Sequence, residues 1–379
     1  MDQRLGRLAR LTGRVRFGRV LGFPLYVQPW WLVLIPLLVY GYGQVLRVRS
    51  DLPAATAYGV GAAFVVCLLV SVLLHELGHA LVARFYRLGV RAITIELLGG
   101  WTEMERQPPR PSVEAAVSLV GPAVSLVLAL GSGAVAYLLP GDSVLRLVVA
   151  QLAISNMIVA VFNALPGFPL DGGRALLAVV WAGTGDLDRA RVASGHAGRA
   201  LAATCVAAAV ALAGTGRLSM FGALILVVVA LSIWRGAGDA VALGRAGRRA
   251  GLVEVDRLTR PIFGVPPATP LAEARRMAAV AGRPDAALAV LDGAGEPLAV
   301  VPDAAAEAVP VARRGEVAVG ELARRIGTRL PAGARGAGVV RALERAPEGE
   351  VLVTAGGRVV GVVRAADVAH VLNDGRSDR

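Results

Sequence analysis

Residues 58–86 read YGVGAAFVVCLLVSVLLHELGHALVARFY, an apolar run long enough to cross a bilayer as a helix, yet one that carries two histidines and a glutamate. On a helix His75 and His79 stand at i and i+4 on one face, close enough to hold one metal ion through imidazole nitrogens. Glu76 lies between them around the helix. A carboxylate there can take a proton from a water that the metal has made acidic, which is the chemistry of the H-E-x-x-H pattern. A purely structural role, polar side chains bridging helices, is the blander reading. It is disfavoured because ionisable groups in a span are costly and functional by default. The chain has only four histidines, and two of them fall in this pattern.

Catalytic zinc wants three protein ligands and an open position, so one more donor is expected at similar depth. The best candidate is Asp171, in FNALPGFPLDGGR at residues 162–174. Pro166 and Pro169 remove backbone donors there, and the glycines loosen the helix, so the carboxylate can point inward along a wet, irregular backbone. An N-cap for a half-helix starting near Gly172 is the blander role, and the two roles are compatible. Asn163, beside the same break, is a candidate for holding the oxyanion or orienting substrate backbone, with an interhelical hydrogen bond as its alternative.

Outward from these stretches the chain divides by hydropathy. Of its 379 residues 55% are hydrophobic, and the mean hydropathy is +0.60, too apolar for an ordinary soluble protein. Six spans are expected, near 29–46, 58–86, 112–139, 144–182, 192–214 and 218–240. The fourth is too long for one straight crossing and should be a broken helix. The expected organisation is a basic cytoplasmic arm over 1–28, a transmembrane metalloprotease domain over 29–240, a flexible linker over 241–252 and an α/β domain over 253–379.

The formal charge of +12 is carried entirely by arginine. These arginines flank the spans, as do Arg4, Arg7, Arg10, Arg14, Arg16 and Arg19, which is a topology signal and speaks against nucleic-acid binding. Placing the arginine-rich loops inside puts both termini in the cytoplasm of a multi-pass plasma-membrane protein. Cys67 and Cys205 lie in apolar segments and read as small packing residues, not a disulfide. Between the second and third spans RAITIELLGGWTEME (91–105) alternates in part at period two, with Gly99 and Gly100 suited to a tight turn, and predicts a β-hairpin at the membrane face. An edge strand of that kind can hold an extended substrate, the alternative being a plain surface loop.

HELGH in a hydrophobic span, followed about ninety residues later by Asn163, Pro166, Leu170, Asp171 and Gly172 as N-x-x-P-x-x-x-L-D-G, resembles the site-2 protease family of intramembrane metalloproteases. The resemblance implies a three-helix catalytic core, one zinc ion held by His75, His79 and Asp171, and Glu76 as base. It also implies a single-span membrane protein as substrate, such as a membrane-tethered anti-sigma or pro-transcription factor, cut in regulated intramembrane proteolysis. One departure is Ser125 in GPAVS, where members of the family often carry Asn; a changed packing or substrate contact, and not a changed zinc site, is expected from it.

The last third, through VEVDRLTRPIFGVPPATPLAEARRM (253–277), LAVLDGAGEPLAVV (288–301) and VLVTAGGRVVGVVRAADVAHVL (351–372), resembles a tandem CBS pair. The resemblance implies a regulatory domain that dimerises and that binds an adenosine nucleotide through Asp367. Arg364 replaces the usual hydroxyl residue, and Ala305 stands where the first repeat would have its aspartate. Two other functions compete with the protease. A membrane peptidase with a later Glu as third ligand lacks such a Glu in spans five and six. A CBS-gated transporter has no need of a base beside paired histidines, and the spans show no internal repeat.

Overall fold

The computed structural model describes residues 15–29, 31–50, 52–96, 99–141, 143–292, 297–346 and 349–374. The chain divides into two compact units, with the boundary between Gly244 and Arg245.

In the first unit six helices are long and apolar enough to cross a membrane. They are α1 (Trp31–Ser50), α2 (Ala54–Phe85), α3 (Pro111–Leu138), α4 (Val144–Asn163), α6 (Leu187–Gly214) and α7 (Met220–Gly251), with the shorter α5 (Asp171–Thr184) between α4 and α6. Large apolar side chains stay exposed around them, among them Val127 at 68%, Tyr137 at 85% and Phe221 at 65%. Such an apolar exterior is stable against lipid and not against water. The expected broken fourth span is found: α4 stops at Asn163 and α5 restarts at Asp171. Asn156 on α4, 1% exposed, ties its helix inward by donating to Ser71 Oγ on α2 at 3.2 Å.

The expected hairpin is there as strands β3 (Val90–Glu96) and β4 (Gly99–Met104), paired antiparallel. Gly99 and Gly100 are not its turn. Both belong to β4, and residues 97–98 between the strands lie outside the described residues. The hairpin is also half of a larger object. Strands β1 (Val15–Val20) and β2 (Phe23–Val27) rise from the segment expected to be a basic arm, and the four strands make one sheet in the order β1-β2-β3-β4. The arginines of VRFGRVLGFPLYV mask a strand pattern whose inward residues, Phe23 and Leu25, are buried. The β2–β3 pair is parallel, so α1 and α2 form the crossover between them. Phe23, Leu25, Ile93 and Ile95 of the sheet pack with Leu77 and Ala80 of α2, which fixes the sheet against the helix turn carrying the histidines.

The second unit begins in the last turns of α7: the linker expected to be flexible is helical as far as Gly251. Its alanines, leucine and arginines favour helix, and Arg248 and Arg249 suit the negative end of the helix dipole. After the short helix α8 (Val255–Leu258) come two halves of like order. The first is β5 (Arg260–Val265), α9 (Leu271–Val280), β6 (Ala287–Leu291), β7 (Pro297–Val300) and α10 (Asp303–Ala308). A one-turn helix α11 (Val319–Leu322) leads to the second: β8 (Arg329–Pro331), α12 (Ala337–Arg345), β9 (Glu350–Ala355), β10 (Arg358–Arg364) and α13 (Ala365–Asp374). In each half the first and second strands are parallel and the second and third antiparallel. The sheet runs β7-β6-β5-β10-β9-β8, so β5 and β10 join the halves. Each half keeps its own apolar core, around Val265, Leu271 and Val319 in one and Val339, Val351 and Val363 in the other. This is the α/β domain expected from the Val-rich strands and Gly turns.

Candidate metal centre

Two turns of α2 and the first residue of α5 supply the polar cluster at the heart of the first unit. His75, Glu76 and His79 are 5%, 4% and 5% exposed. Asp171 reaches them because the break after Asn163 frees the α5 N-terminus to turn inward. Asp171 Oδ2 lies 3.1 Å from His75 Nε2 and 3.2 Å from His79 Nε2, and the two Nε2 atoms are 3.3 Å apart. His75, His79 and Asp171 thus form a group able to hold a metal ion.

Chemistry rather than proximity decides what this triangle fits. His79 Nδ1 lies 2.6 Å from the Val117 carbonyl, which can only accept, so Nδ1 carries the proton and Nε2 presents a lone pair. That lone pair faces a carboxylate oxygen and a second imidazole nitrogen. With His75 taking its Nδ1 proton toward the Ser125 hydroxyl, its Nε2 is a second nitrogen donor, and the three atoms together make a set suited to a cation. Ligands about 2.0–2.1 Å from tetrahedral zinc lie about 3.3 Å from one another, which matches the triangle's edges. The residues present therefore fit zinc.

Surrounding groups orient the donors. Ser125 Oγ on α3 is 2.9 Å from His75 Nδ1, so the departure at Ser125 meets an imidazole of the cluster itself, where only a packing or substrate contact was expected. Gly121, one turn earlier on α3, faces the imidazoles directly; a Cβ there would fall on the Nε2 atoms of His75 and His79. Arg174 Nε on α5 donates to Glu114 Oε1 on α3 at 2.8 Å, and this largely buried pair pins the first turn of α5. Ser194 on α6 closes the same region by donating to the Gly173 carbonyl.

Glu76 points toward the sheet. Thr102 Oγ1 on β4 donates to Glu76 Oε2 at 2.7 Å, and a Cβ on Gly100 would fall on the Glu76 carboxylate. Sequence reasoning singled out Ser125 but not its place beside His75, and it gave Gly121 and Thr102 no role at the site, because their relation to α2 is set by tertiary packing and no local spacing signals it. Asn163, expected beside the site, ends α4 half-buried, and among the described residues its side chain makes no hydrogen bond.

In the second unit Asp367 is engaged by Arg364, whose Nε and Nη2 donate to its two oxygens at 2.8 and 2.6 Å. Arg364 also reaches Asp303, which accepts from Arg260 as well, tying the start of α10 to both central strands. Burial pushes the nearby Glu350 carboxyl above the ordinary carboxylate range, with partial relief from the Asp303 backbone and the two arginines.

Six membrane-length helices around a buried His-His-Asp cluster define a multi-pass membrane protein with a metalloenzyme-type centre. A family model described as Peptidase family M50 matches residues 63–150 and 142–208. Rip3 of Mycobacterium tuberculosis, named as a zinc metalloprotease, is 30% identical over 369 residues, covering 95% of this chain and 93% of its own. The Synechocystis protein sll0528, also named as a zinc metalloprotease, is 35% identical over 189 residues, half of each chain. Among solved structures the site-2 protease of Methanocaldococcus jannaschii aligns at 25% identity and a TM-score of 0.43, over 60% of this chain and 95% of that one. The chain belongs to peptidase family M50, and it is a zinc metalloprotease.

Proposed function

We propose that the chain hydrolyses peptide bonds within or near transmembrane segments of other membrane proteins, with His75, His79 and Asp171 as zinc ligands and Glu76 as general base. The observation that carries this reading is the triangle of His75 Nε2, His79 Nε2 and Asp171 Oδ2 with edges of 3.1, 3.2 and 3.3 Å, set among membrane-length helices beside a buried glutamate. Zinc, when bound, is a Lewis acid that polarises a carbonyl and makes water acidic. Glu76 takes a proton from the attacking water and delivers it to the departing amine as the C–N bond breaks. His79, fixed by the Val117 carbonyl, and His75, beside Ser125, keep their Nε2 atoms aimed into the site. Asn163 stands close enough in sequence to the α5 break to steady the scissile carbonyl or the substrate backbone.

The substrate class is a single-span membrane protein, such as a tethered anti-sigma or pro-transcription factor, whose cleavage passes a signal to transcription. The arginine-rich loops support a plasma-membrane placement with both termini in the cytoplasm. The two-halved α/β unit, read as a tandem CBS-like pair, supports regulation and self-association. An adenosine nucleotide at Asp367 would have to displace the Arg364 pair, so nucleotide titration of the whole protein is the check on that part.

The decisive experiment measures zinc content together with cleavage of a transmembrane-segment reporter in detergent. The unaltered protein should hold zinc and cut, Glu76→Gln should hold zinc and fail to cut, and Asp171→Ala should lose both. Undiminished zinc in Asp171→Ala would sink the ligand assignment.

A further inference from the structure

We propose that Gly100 and Thr102 of β4 form a clamp that fixes the Glu76 carboxylate in its working orientation, making Thr102 a positioning residue for proton transfer. The inference rests on the reading of Glu76 as the base.

Residues 100 and 102 share a face of their strand, because side chains alternate at period two. That face lies on Glu76. Thr102 Oγ1 donates to Oε2 at 2.7 Å and also lies 3.2 Å from the Glu76 backbone carbonyl. Gly100 supplies the room: a Cβ there would fall on Glu76 Cγ, Cδ and Oε1, so only glycine lets the carboxylate lie against the strand. The contact is selective between the two oxygens. One hydroxyl proton engages Oε2 and leaves the lone pairs of Oε1 uncommitted to Thr102.

The clamp is itself held rigid. Thr102 and Gly100 pair with Ile93 and Ile95 of β3. Those isoleucines are buried in the core that includes Leu77 and Ala80 of α2. Thr is β-branched and stiff at χ1, so the strand sets the direction of its hydroxyl. A free Glu side chain samples several rotamers, and holding it in advance removes an ordering cost from the reactive step. Trp101, on the opposite face, is 57% exposed and takes no part.

The test uses the full-length zinc-loaded protein in detergent with a transmembrane-segment reporter, and compares Thr102→Val, Thr102→Ser and Glu76→Gln. Valine keeps the shape and removes the donor. The expected result is a kcat about 10–100-fold lower in Thr102→Val, with KM and zinc content unchanged, and recovery of most of kcat in Thr102→Ser. An unchanged kcat in Thr102→Val overturns the clamp. So does a raised kcat, which would mean that the strand masks the base. If Glu76→Gln still cuts, the base assignment itself has failed. If Glu76→Gln is inactive while Thr102→Val matches the unaltered protein, the clamp alone is wrong.

Discussion

His79 is instructive because one hydrogen bond settles its chemistry. The Val117 carbonyl 2.6 Å from Nδ1 dictates the tautomer, and the tautomer dictates what Nε2 can bind. His75 has a softer partner, since the Ser125 hydroxyl can donate or accept. Ser125→Ala should therefore weaken zinc binding by about 10–100-fold, the usual effect of losing a group behind a ligand. Chelator competition measures it, and thermal unfolding of the zinc-free protein should be nearly unchanged. That His75, Glu76, His79 and Asp171 come together was legible in the sequence, because ionisable residues inside apolar runs carry their own signal. The places of Ser125 and Gly121 were not, since Ser, Gly and Pro in a membrane helix are ordinary packing residues until a neighbouring helix is placed.

At the scale of elements, α2, α3 and α5 meet so closely that single methyl groups decide function. Gly121→Ala should abolish zinc loading while leaving the helical circular dichroism intact, because its Cβ would occupy the space between the imidazole nitrogens. Zinc retained at full stoichiometry in that variant would contradict the packing described. The Arg174–Glu114 pair joins α5 to α3 with side chains 23% and 8% exposed. Arg174→Met should cost about 3–5 kcal/mol by leaving a buried carboxylate unpaired, and adding Glu114→Leu should restore much of it. Denaturation in detergent followed by tryptophan fluorescence reads both. The spans were legible from hydropathy and the break from its prolines. The first two strands were not, because arginine-rich alternation looks like a charged arm until its inward residues find a sheet.

Taken whole, the chain joins a unit of membrane-length helices to an α/β unit, and the two should answer to different variables. Glu350 is buried in the second, and its carboxyl is raised mainly by burial. The protonated form is the one the fold favours. Its contribution is fully present below the ordinary carboxylate pKa of about 4.3 and is lost as pH rises through the higher folded value. Glu350→Gln should flatten the pH dependence of thermal unfolding over that acidic window, and an unaltered slope would remove Glu350 from the account. The division into a membrane part and an α/β part was visible in composition. The helical continuation of α7 was not, since Gly and Arg are common to linkers and to helix ends.

The parallel pairing of β2 with β3 has a consequence for how the protein is made. Residues 28–89 separate the two strands and contain two complete membrane crossings. A nascent chain emerging from the ribosome thus presents β2 with an open edge well before its partner exists. The sheet can close only after α2 has been synthesised, ahead of the α3 and α5 residues that meet its histidines. Sheet closure therefore waits on the synthesis of both helices, and β4, the strand that meets Glu76, is the last piece of that sheet to arrive.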